Sequence, residues 1–122
     1  MVSPFLQRER WVAENALAVA MRDNYPVSPG HTLVVPRRIV ATMWDCTPDE
    51  LRAMWELVTQ QKHALDGEYH PDGFNVGVNC GEVAGQTVPH AHVHIIPRYA
   101  GDHPDPRGGV RAVIPHKAGY NL

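Results

Sequence analysis

The chain has 122 residues, of which 43% are apolar and 20% are charged. This length suits one packed domain and is too short for two ordinary ones, so we expect a single domain over residues 1–122. The net charge of −2 provides no basic field, which argues against a nucleic-acid partner. No apolar run reaches the ~18 residues of a membrane span, and the charged N-terminal segment does not match a secretory signal. These features predict a cytoplasmic location and no membrane partner.

Cysteine and histidine usage narrows the possible chemistry. The two cysteines, Cys46 and Cys80, are far apart and form no C-x-x-C pair. This favours two reduced thiols over a disulfide framework or a four-ligand structural zinc site. Histidine is unusually frequent, with 8 residues in the chain, so the histidines are the first candidates for function.

The first part of the chain predicts strands and a loop. Residues 11–22, WVAENALAVAMR, are rich in apolar residues but fit either a helix or strands. Asn15 in the middle favours two short strands around a turn, with the second strand over residues 16–21. The prolines and glycine of residues 22–31 predict a loop, and HTLVVP is typical of a strand that ends at Pro36.

One helix is clearly marked. Thr47, Pro48 and Glu50 form a capping-box sequence, with the threonine as N-cap, the proline at the first helical position and the glutamate three residues on. An apolar face follows at helical spacing; its members are Leu51, Met54, Trp55, Val58 and Leu65. We expect the helix to end at Asp66 and Gly67.

The rest of the chain predicts two strands and an irregular tail. GFNVGVN at residues 73–79 and HAHVHIIP at residues 90–97 are typical of strands, the latter ended by Pro97. Residues 101–122 contain many glycines and prolines and are expected to form a C-terminal tail on the surface or on a partner. Short strands with one long helix indicate an α+β fold with an antiparallel sheet of about five strands, not a parallel doubly wound sheet.

Three histidines alternate in the second of these strands. With a side-chain period of two, His90, His92 and His94 share one strand face, whereas the residues between them form an ordinary apolar face. The outer two would lie ~13 Å apart at Cα, too far for all three to bind one zinc ion through Zn–N bonds of ~2.1 Å. Two neighbours and a carboxylate could still hold the metal of a metal-dependent hydrolase. A linear ligand such as a phosphate chain fits the row better.

Possible phosphate donors surround the histidine row. Gln86, Thr87 and the glycines at positions 81 and 85 precede it and offer amide, hydroxyl and backbone N–H groups. The cations that follow the row are Arg98, Arg107, Arg111 and Lys117. An ordinary solvated surface explains the cations of the tail at least as well as a phosphate site does.

The histidine row and its flanking segments resemble a known family. HAHVHII matches the H-φ-H-φ-H-φ-φ signature (φ, apolar residue) of the histidine triad (HIT) family of nucleotide hydrolases and transferases. RDNYPVSPGHTLVVPRR, TPDEL and GQTVPHAHVHIIPR resemble further family segments, so the likeness covers most of residues 14–98. It is most similar to the fragile-histidine-triad branch, whose members cleave dinucleoside polyphosphates, and residues 101–120 resemble the tails of many bacterial members.

The resemblance implies a role for each histidine of the site. His92 would be the nucleophile that attacks the α-phosphorus and forms a nucleotidyl-histidine intermediate, which water then hydrolyses. Its other ring nitrogen should donate a hydrogen bond that fixes the tautomer. His90 and His94 would bind phosphate oxygens or orient the nucleophile, and His31, in the P-G-H segment, would support the same site.

The resemblance also implies substrate contacts and partners. Asp23 would accept hydrogen bonds from both ribose hydroxyls, while Asn79 and Gln86 would contact phosphate or leaving-group oxygens close to Thr87. The family implies a HIT-like α+β fold with a short N-terminal helix, a homodimer with a joined sheet, and neither a cofactor nor a resident metal. Mg²⁺ would enter only as a complex with the substrate.

The predicted function is hydrolysis of a nucleotide conjugate with release of a nucleoside monophosphate. A dinucleoside polyphosphate that contains adenine is the first choice of substrate, and an aminoacyl or alkyl phosphoramidate of AMP is the second. A nucleotide-binding module without turnover is the alternative that is not an enzyme, although the presence of His92 favours an enzyme.

Overall fold

The computed structural model describes residues 3–121, which form one antiparallel sheet and one long helix. The strands are β1 (Trp11–Glu14), β2 (Ala18–Arg22), β3 (Thr32–Pro36), β4 (Gly73–Val78) and β5 (Val93–Arg98), and the helix is α1 (Pro48–Tyr69). The sheet order is β1-β2-β3-β5-β4, with every neighbouring pair antiparallel. The predicted α+β fold with five strands and one long helix is confirmed.

The β1–β2 hairpin forms because Asn15 closes its turn. The Asn15 Oδ1 atom accepts hydrogen bonds from the backbone N–H groups of Leu17, at 3.1 Å, and Ala18, at 2.9 Å. The two-strand interpretation of this segment is therefore confirmed. Strand β2 begins at Ala18 instead of the expected residue 16, because residues 16 and 17 belong to the turn.

Helix α1 begins as predicted and ends later. The Thr47 hydroxyl accepts a hydrogen bond from the Glu50 N–H at 3.1 Å, and the Glu50 carboxylate accepts one from the Thr47 N–H at 2.8 Å. The expected end at Asp66 and Gly67 is wrong, because the helix continues to Tyr69 and ends at His70 in a left-handed conformation (φ 53°). The last turn is retained because the fully buried Leu65 and the half-buried Tyr69 pack against the core.

Different structural elements pack on the two faces of the sheet. Helix α1 packs on one face and encloses the larger core, which includes Met54, Leu65, Val93 and Ile95. The second apolar cluster lies on the other face and consists of Phe5, Val19, Met21, Leu33 and Val35. We call this second surface the helix-free face; the side chain of His94 lies on it, because Val93 and Ile95 point to the helix.

The N-terminal segment and the tail contain only short turns of helix. The expected short N-terminal helix is wrong: a single 3-10 turn, Arg8–Arg10, occurs there, because Gln7 provides no side-chain cap and the chain becomes extended at Trp11. The tail folds into two 3-10 turns, Gly109–Val113 and Pro115–Lys117, and most of its residues are exposed. Across residues 3–121, no helix is both long and apolar enough to cross a bilayer.

Candidate active site

The triad residues are not equivalent in the structure. Strand β5 begins at Val93, so His90 and His92 lie in the irregular segment before it and only His94 is part of the strand. The strand expected over residues 90–97 is therefore shifted to residues 93–98. The segment before β5 lies outside the sheet, and the three imidazoles have different surroundings and different partners.

One ring nitrogen of His92 is hydrogen-bonded, and the other has no hydrogen-bond partner among residues 3–121. Its Nδ1–H group donates a hydrogen bond to the backbone carbonyl of His90 at 2.8 Å. In the neutral ring the lone pair is then on Nε2, the state that a nucleophilic imidazole requires. The aromatic ring of Phe5 packs 4.9 Å from the His92 ring, centroid to centroid, and restricts its orientation. The hydrogen bond predicted for the second ring nitrogen is thus present.

His90 is fully buried, and both of its ring nitrogens are hydrogen-bonded within the protein. Its Nε2–H group donates to the Pro36 carbonyl at 2.7 Å, and its Nδ1 atom accepts a hydrogen bond from the Ser3 hydroxyl at 2.5 Å. Desolvation lowers the pKa of His90, which keeps the ring neutral. Of the two roles expected for this residue, the geometry supports orientation of the nucleophile, because both ring nitrogens already have partners inside the protein.

A hydrogen-bonded chain joins His94 to a loop that follows β2. The His31 Nδ1 atom accepts a hydrogen bond from the Val27 N–H at 3.0 Å, so the neutral ring carries its proton on Nε2. The His31 Nε2–H group then donates to His94 Nδ1 at 2.9 Å, with Asp23 Oδ2 at 3.4 Å. His94 must therefore carry its own proton on Nε2, where it can donate to a ligand oxygen.

Burial keeps the imidazoles of His31 and His94 in the neutral state. Desolvation lowers the pKa of His94 to about 4, and the neighbouring His92 and His31 act in the same direction. The pKa of His31 is also lowered, mainly by desolvation, although the Asp23 carboxylate opposes the shift. Near neutral pH, His94 is consequently a neutral hydrogen-bond donor and not an imidazolium.

The same three residues have the composition of a metal site. Within residues 3–121, only Asp23, His31 and His94 combine three potential ligand atoms, all within 4.8 Å of one another. The tautomer of His31 does not suit a metal at this point, because the Val27 N–H occupies Nδ1 and leaves the proton on the facing Nε2 atom. The geometry therefore fits a proton-holding chain better than a cation site.

A cavity of about 310 Å³ opens on the helix-free face beside these histidines. The structure brings together most of the residues predicted for the site, since the cavity is lined by Asp23, Asn79, Thr87, His92 and His94. Asp23 also shapes its own loop, because its Oδ1 atom accepts a hydrogen bond from the Tyr25 N–H at 2.8 Å. We call this space the nucleophile cavity.

Gln86 lies outside the nucleophile cavity and braces the loop before the triad. Its Oε1 atom accepts a hydrogen bond from the Gly81 N–H at 2.9 Å. Its Nε2 group donates to the carbonyls of Ala41, at 2.5 Å, and Val88, at 3.0 Å. Both ends of the amide thus have backbone partners, and the phosphate contact expected for Gln86 stays a prediction.

Three residues of the N-terminal segment belong to the site, although no local sequence pattern predicts that they do. Ser3 anchors His90, and Phe5 packs against His92 and lines the nucleophile cavity. Arg10 is the cation that lines this cavity within the described part of the chain, and its guanidinium donates to the Pro4 and Arg22 carbonyls. The Ser3–His90 contact joins residues 87 positions apart, a separation that no periodicity or motif reports.

The fold and the site together define a small α+β protein with a cluster of histidines beside a cavity. The HIT domain family model matches residues 6–101, and the chain belongs to this family.

Comparisons with individual proteins agree with the family. The chain is 41% identical over 86 residues to a bis(5'-nucleosyl)-tetraphosphatase (asymmetrical) of Schizosaccharomyces pombe, covering 70% of this chain and 47% of the relative. It is 39% identical over 82 residues to a bis(5'-adenosyl)-triphosphatase of Dictyostelium discoideum, covering 67% and 55%. A hypothetical histidine triad nucleotide-binding protein of Sulfolobus tokodaii has a similar structure, with a TM-score of 0.73, 37% identity, and coverage of 80% and 68%. The chain spans about half the length of the curated relatives it matches.

Proposed function

We propose that this protein hydrolyses dinucleoside polyphosphates that contain adenine and releases a nucleoside monophosphate. One observation carries the proposal: the cavity-lining His92 has its Nδ1–H bonded to the His90 carbonyl and its Nε2 lone pair free. The activities in the names of the similar yeast and amoebal proteins support this substrate class. The single domain and the cytoplasmic location are parts of the same proposal, and the two free cysteines fit the location.

The proposed reaction has two displacements at one phosphorus atom. In the first, the His92 Nε2 lone pair forms a bond to the α-phosphorus while the bond from phosphorus to the bridging oxygen breaks. The departing nucleotide leaves with the electron pair of that bond, and the His94 Nε2–H group donates a hydrogen bond to the oxygen on which charge develops. In the second, water attacks the phosphorus and gives up a proton to the solvent, the P–N bond breaks with its electron pair returning to His92 Nε2, and the nucleoside monophosphate is released.

The nucleophile cavity contains the groups that the proposal needs for binding. The carboxylate of Asp23 is suited to accept hydrogen bonds from the two ribose hydroxyls, and Asn79 and Thr87 provide polar groups for phosphate oxygens. The proposal assigns no resident metal to either displacement. Mg²⁺ is part of the proposal only as a counterion carried by the polyphosphate substrate.

Asp23→Ala is expected to weaken AMP binding about 10- to 100-fold, because hydrogen bonds to a charged group contribute ~1.5–3 kcal/mol. Isothermal calorimetry with AMP measures this effect. Asp23→Asn keeps an oxygen for the Tyr25 N–H and is expected to lose less affinity. Asp49→Ala removes an exposed carboxylate from the start of α1 and is the matched control. An AMP affinity unchanged by Asp23→Ala would remove the ribose role from the proposal.

The proposal includes a homodimer joined through β4. This strand forms one edge of the described sheet, and all of its residues are only half-buried. An edge strand of this kind offers backbone groups for pairing with a second chain. Analytical ultracentrifugation over a range of concentrations is expected to give twice the chain mass of 13.6 kDa. A mass that stays at 13.6 kDa at every concentration would contradict the dimer.

The function itself is tested by product analysis. The protein is incubated with diadenosine triphosphate, diadenosine tetraphosphate or adenosine 5'-phosphoramidate, and AMP is measured by chromatography. AMP from a diadenosine substrate is the expected result, and comparison of the two shows the preferred chain length. AMP from the phosphoramidate alone would replace the proposal with a phosphoramidase. AMP binding without turnover of any substrate would replace it with a nucleotide-binding module.

A further inference from the structure

A second cavity lies next to the nucleophile cavity, under the C-terminal tail. Its volume is about 500 Å³, within the range of small-molecule sites. Strand β4 and two residues of β5, His94 and Ile96, form its floor, and the 3-10 turn Gly109–Val113 of the tail forms one wall. We call this space the tail pocket. The family model ends at residue 101, so this wall is built by a part of the chain beyond the matched domain.

The tail has a defined position over β4. Gly109 has a φ of 52°, and a Cβ atom at this position would lie 3.2 Å from the side-chain nitrogen of Asn75, so the glycine allows close approach. Farther along, the guanidinium of Arg111 donates hydrogen bonds to the carbonyls of Lys117, at 2.9 Å, and Ala118, at 3.3 Å. These contacts fold the tail onto itself and hold its first turn beside β4.

The tail pocket and the nucleophile cavity share two residues. His94 and Asn79 line both spaces. A ligand that extends past His94 can therefore occupy the two cavities at once. His94 is the group placed to donate to the bridging oxygen of the scissile bond. The part of the substrate that leaves in the first displacement therefore has a direct path into the tail pocket.

The lining of the tail pocket suits a neutral, flat group. Its apolar side chains include Val27, Ile96, Val110 and Val113, and no lysine or arginine of the described chain lines it. Its polar side chains are two amides, Asn75 and Asn79, and two imidazoles, those of His31 and His94. The Asn75 Oδ1 atom accepts a hydrogen bond from Arg98 at 2.6 Å, which directs that oxygen to the arginine and leaves the Asn75 amide nitrogen for a ligand. Apolar walls with a few amide and imidazole groups, and with no lysine or arginine among the described residues, match a nucleobase better than a phosphate chain.

We propose that the tail pocket binds the nucleoside of the leaving nucleotide, so that Val110 and Val113 of the tail contribute to the selection of dinucleoside substrates. This inference rests on the proposed function. The AMP moiety that is transferred to His92 occupies the nucleophile cavity, and the second nucleoside contacts the tail. A substitution in the tail should consequently change the use of a dinucleotide without changing the affinity for AMP.

Val110→Asp and Val113→Asp test the proposal, with Ile114→Asp as the matched control. All three side chains are exposed, at 61%, 78% and 51%, so the folded state should tolerate each change; Ile114 does not line the tail pocket. We expect each of the two pocket variants to lower kcat/KM for diadenosine triphosphate about tenfold, mainly through KM, because a carboxylate replaces apolar contact with the base. Ile114→Asp should differ from the unsubstituted protein less than about twofold.

AMP affinity, measured by calorimetry, separates this inference from the proposed function. The expected result is that Val110→Asp and Val113→Asp lower kcat/KM for diadenosine triphosphate about tenfold and leave the AMP affinity unchanged. An unaltered kcat/KM in both variants would overturn the role proposed for the tail pocket. Equal losses of AMP affinity and of kcat/KM would overturn it as well. Absence of diadenosine triphosphate turnover by the unsubstituted protein would overturn the proposed function, and the inference with it.

Discussion

His92→Ala is expected to lower the turnover of a diadenosine polyphosphate at least ~10⁴-fold while AMP still binds. The large loss follows from the geometry, because His92 is the ring with a free Nε2 lone pair, fixed by its hydrogen bond to the His90 carbonyl. AMP binding should persist, since Asp23, Asn79 and Thr87 still line the cavity. Steady-state kinetics and calorimetry on the same preparations measure the two effects.

Two controls separate the loss of a nucleophile from a loss of structure. His63→Ala removes an exposed histidine from α1 and should leave turnover unchanged. In His92→Gly, added imidazole can occupy the space of the missing ring and act as the nucleophile, so it should restore part of the AMP release. A His92→Ala protein with turnover close to that of the unsubstituted protein would refute the covalent mechanism.

Mild acidification is expected to destabilise the fold through its buried histidines. The pKa of His94 is lowered from 6.5 to about 4 by burial, so between these values the unfolded chain binds a proton that the folded chain does not. The free energy of unfolding should therefore be constant above pH 6.5 and fall by on the order of 3 kcal/mol as the pH drops to about 4. His31 and His90 have pKa values lowered in the same direction and add to the loss.

Urea denaturation at a series of pH values measures this profile. The pKa of Glu50 is held below its usual value of 4.5 by its hydrogen bond with Arg38, so the comparison is made between pH 6.5 and 4.5, above the titration of this buried carboxyl. His94→Gln retains an acceptor for the His31 Nε2–H group but cannot be protonated, and it should flatten the profile in this window. An equally steep profile in His94→Gln would show that the loss arises elsewhere.

Local patterns in the sequence predicted most elements of the fold. The capping box of Thr47 and Glu50 places the start of α1 because its hydrogen bonds involve residues three apart. Asn15 identifies the β1–β2 turn for the same reason, since its side chain bonds the backbone two and three residues on. The end of α1 was missed because it depends on packing of Leu65 and Tyr69 against distant strands, which outweighs the effect of Gly67.

The candidate site was predicted in its residue types but not in its connections. The alternation of the histidines located the site, but it predicted the same surroundings for all three rings. In the structure, the ring of His90 is hydrogen-bonded to Ser3 and Pro36. The proton chain through His31 likewise depends on a loop N–H, that of Val27. Such contacts join segments far apart in the chain, and they are fixed by the packing of the helix-free face instead of by any local pattern.

The configuration at phosphorus tests the central claim, a nucleotidyl intermediate on His92, most directly. A diadenosine substrate with a chiral α-phosphorothioate is hydrolysed in ¹⁸O-labelled water, and the configuration of the released adenosine 5'-phosphorothioate is determined. Each in-line displacement inverts the phosphorus, so two displacements predict net retention. Net inversion would mean a single attack by water and would contradict the intermediate.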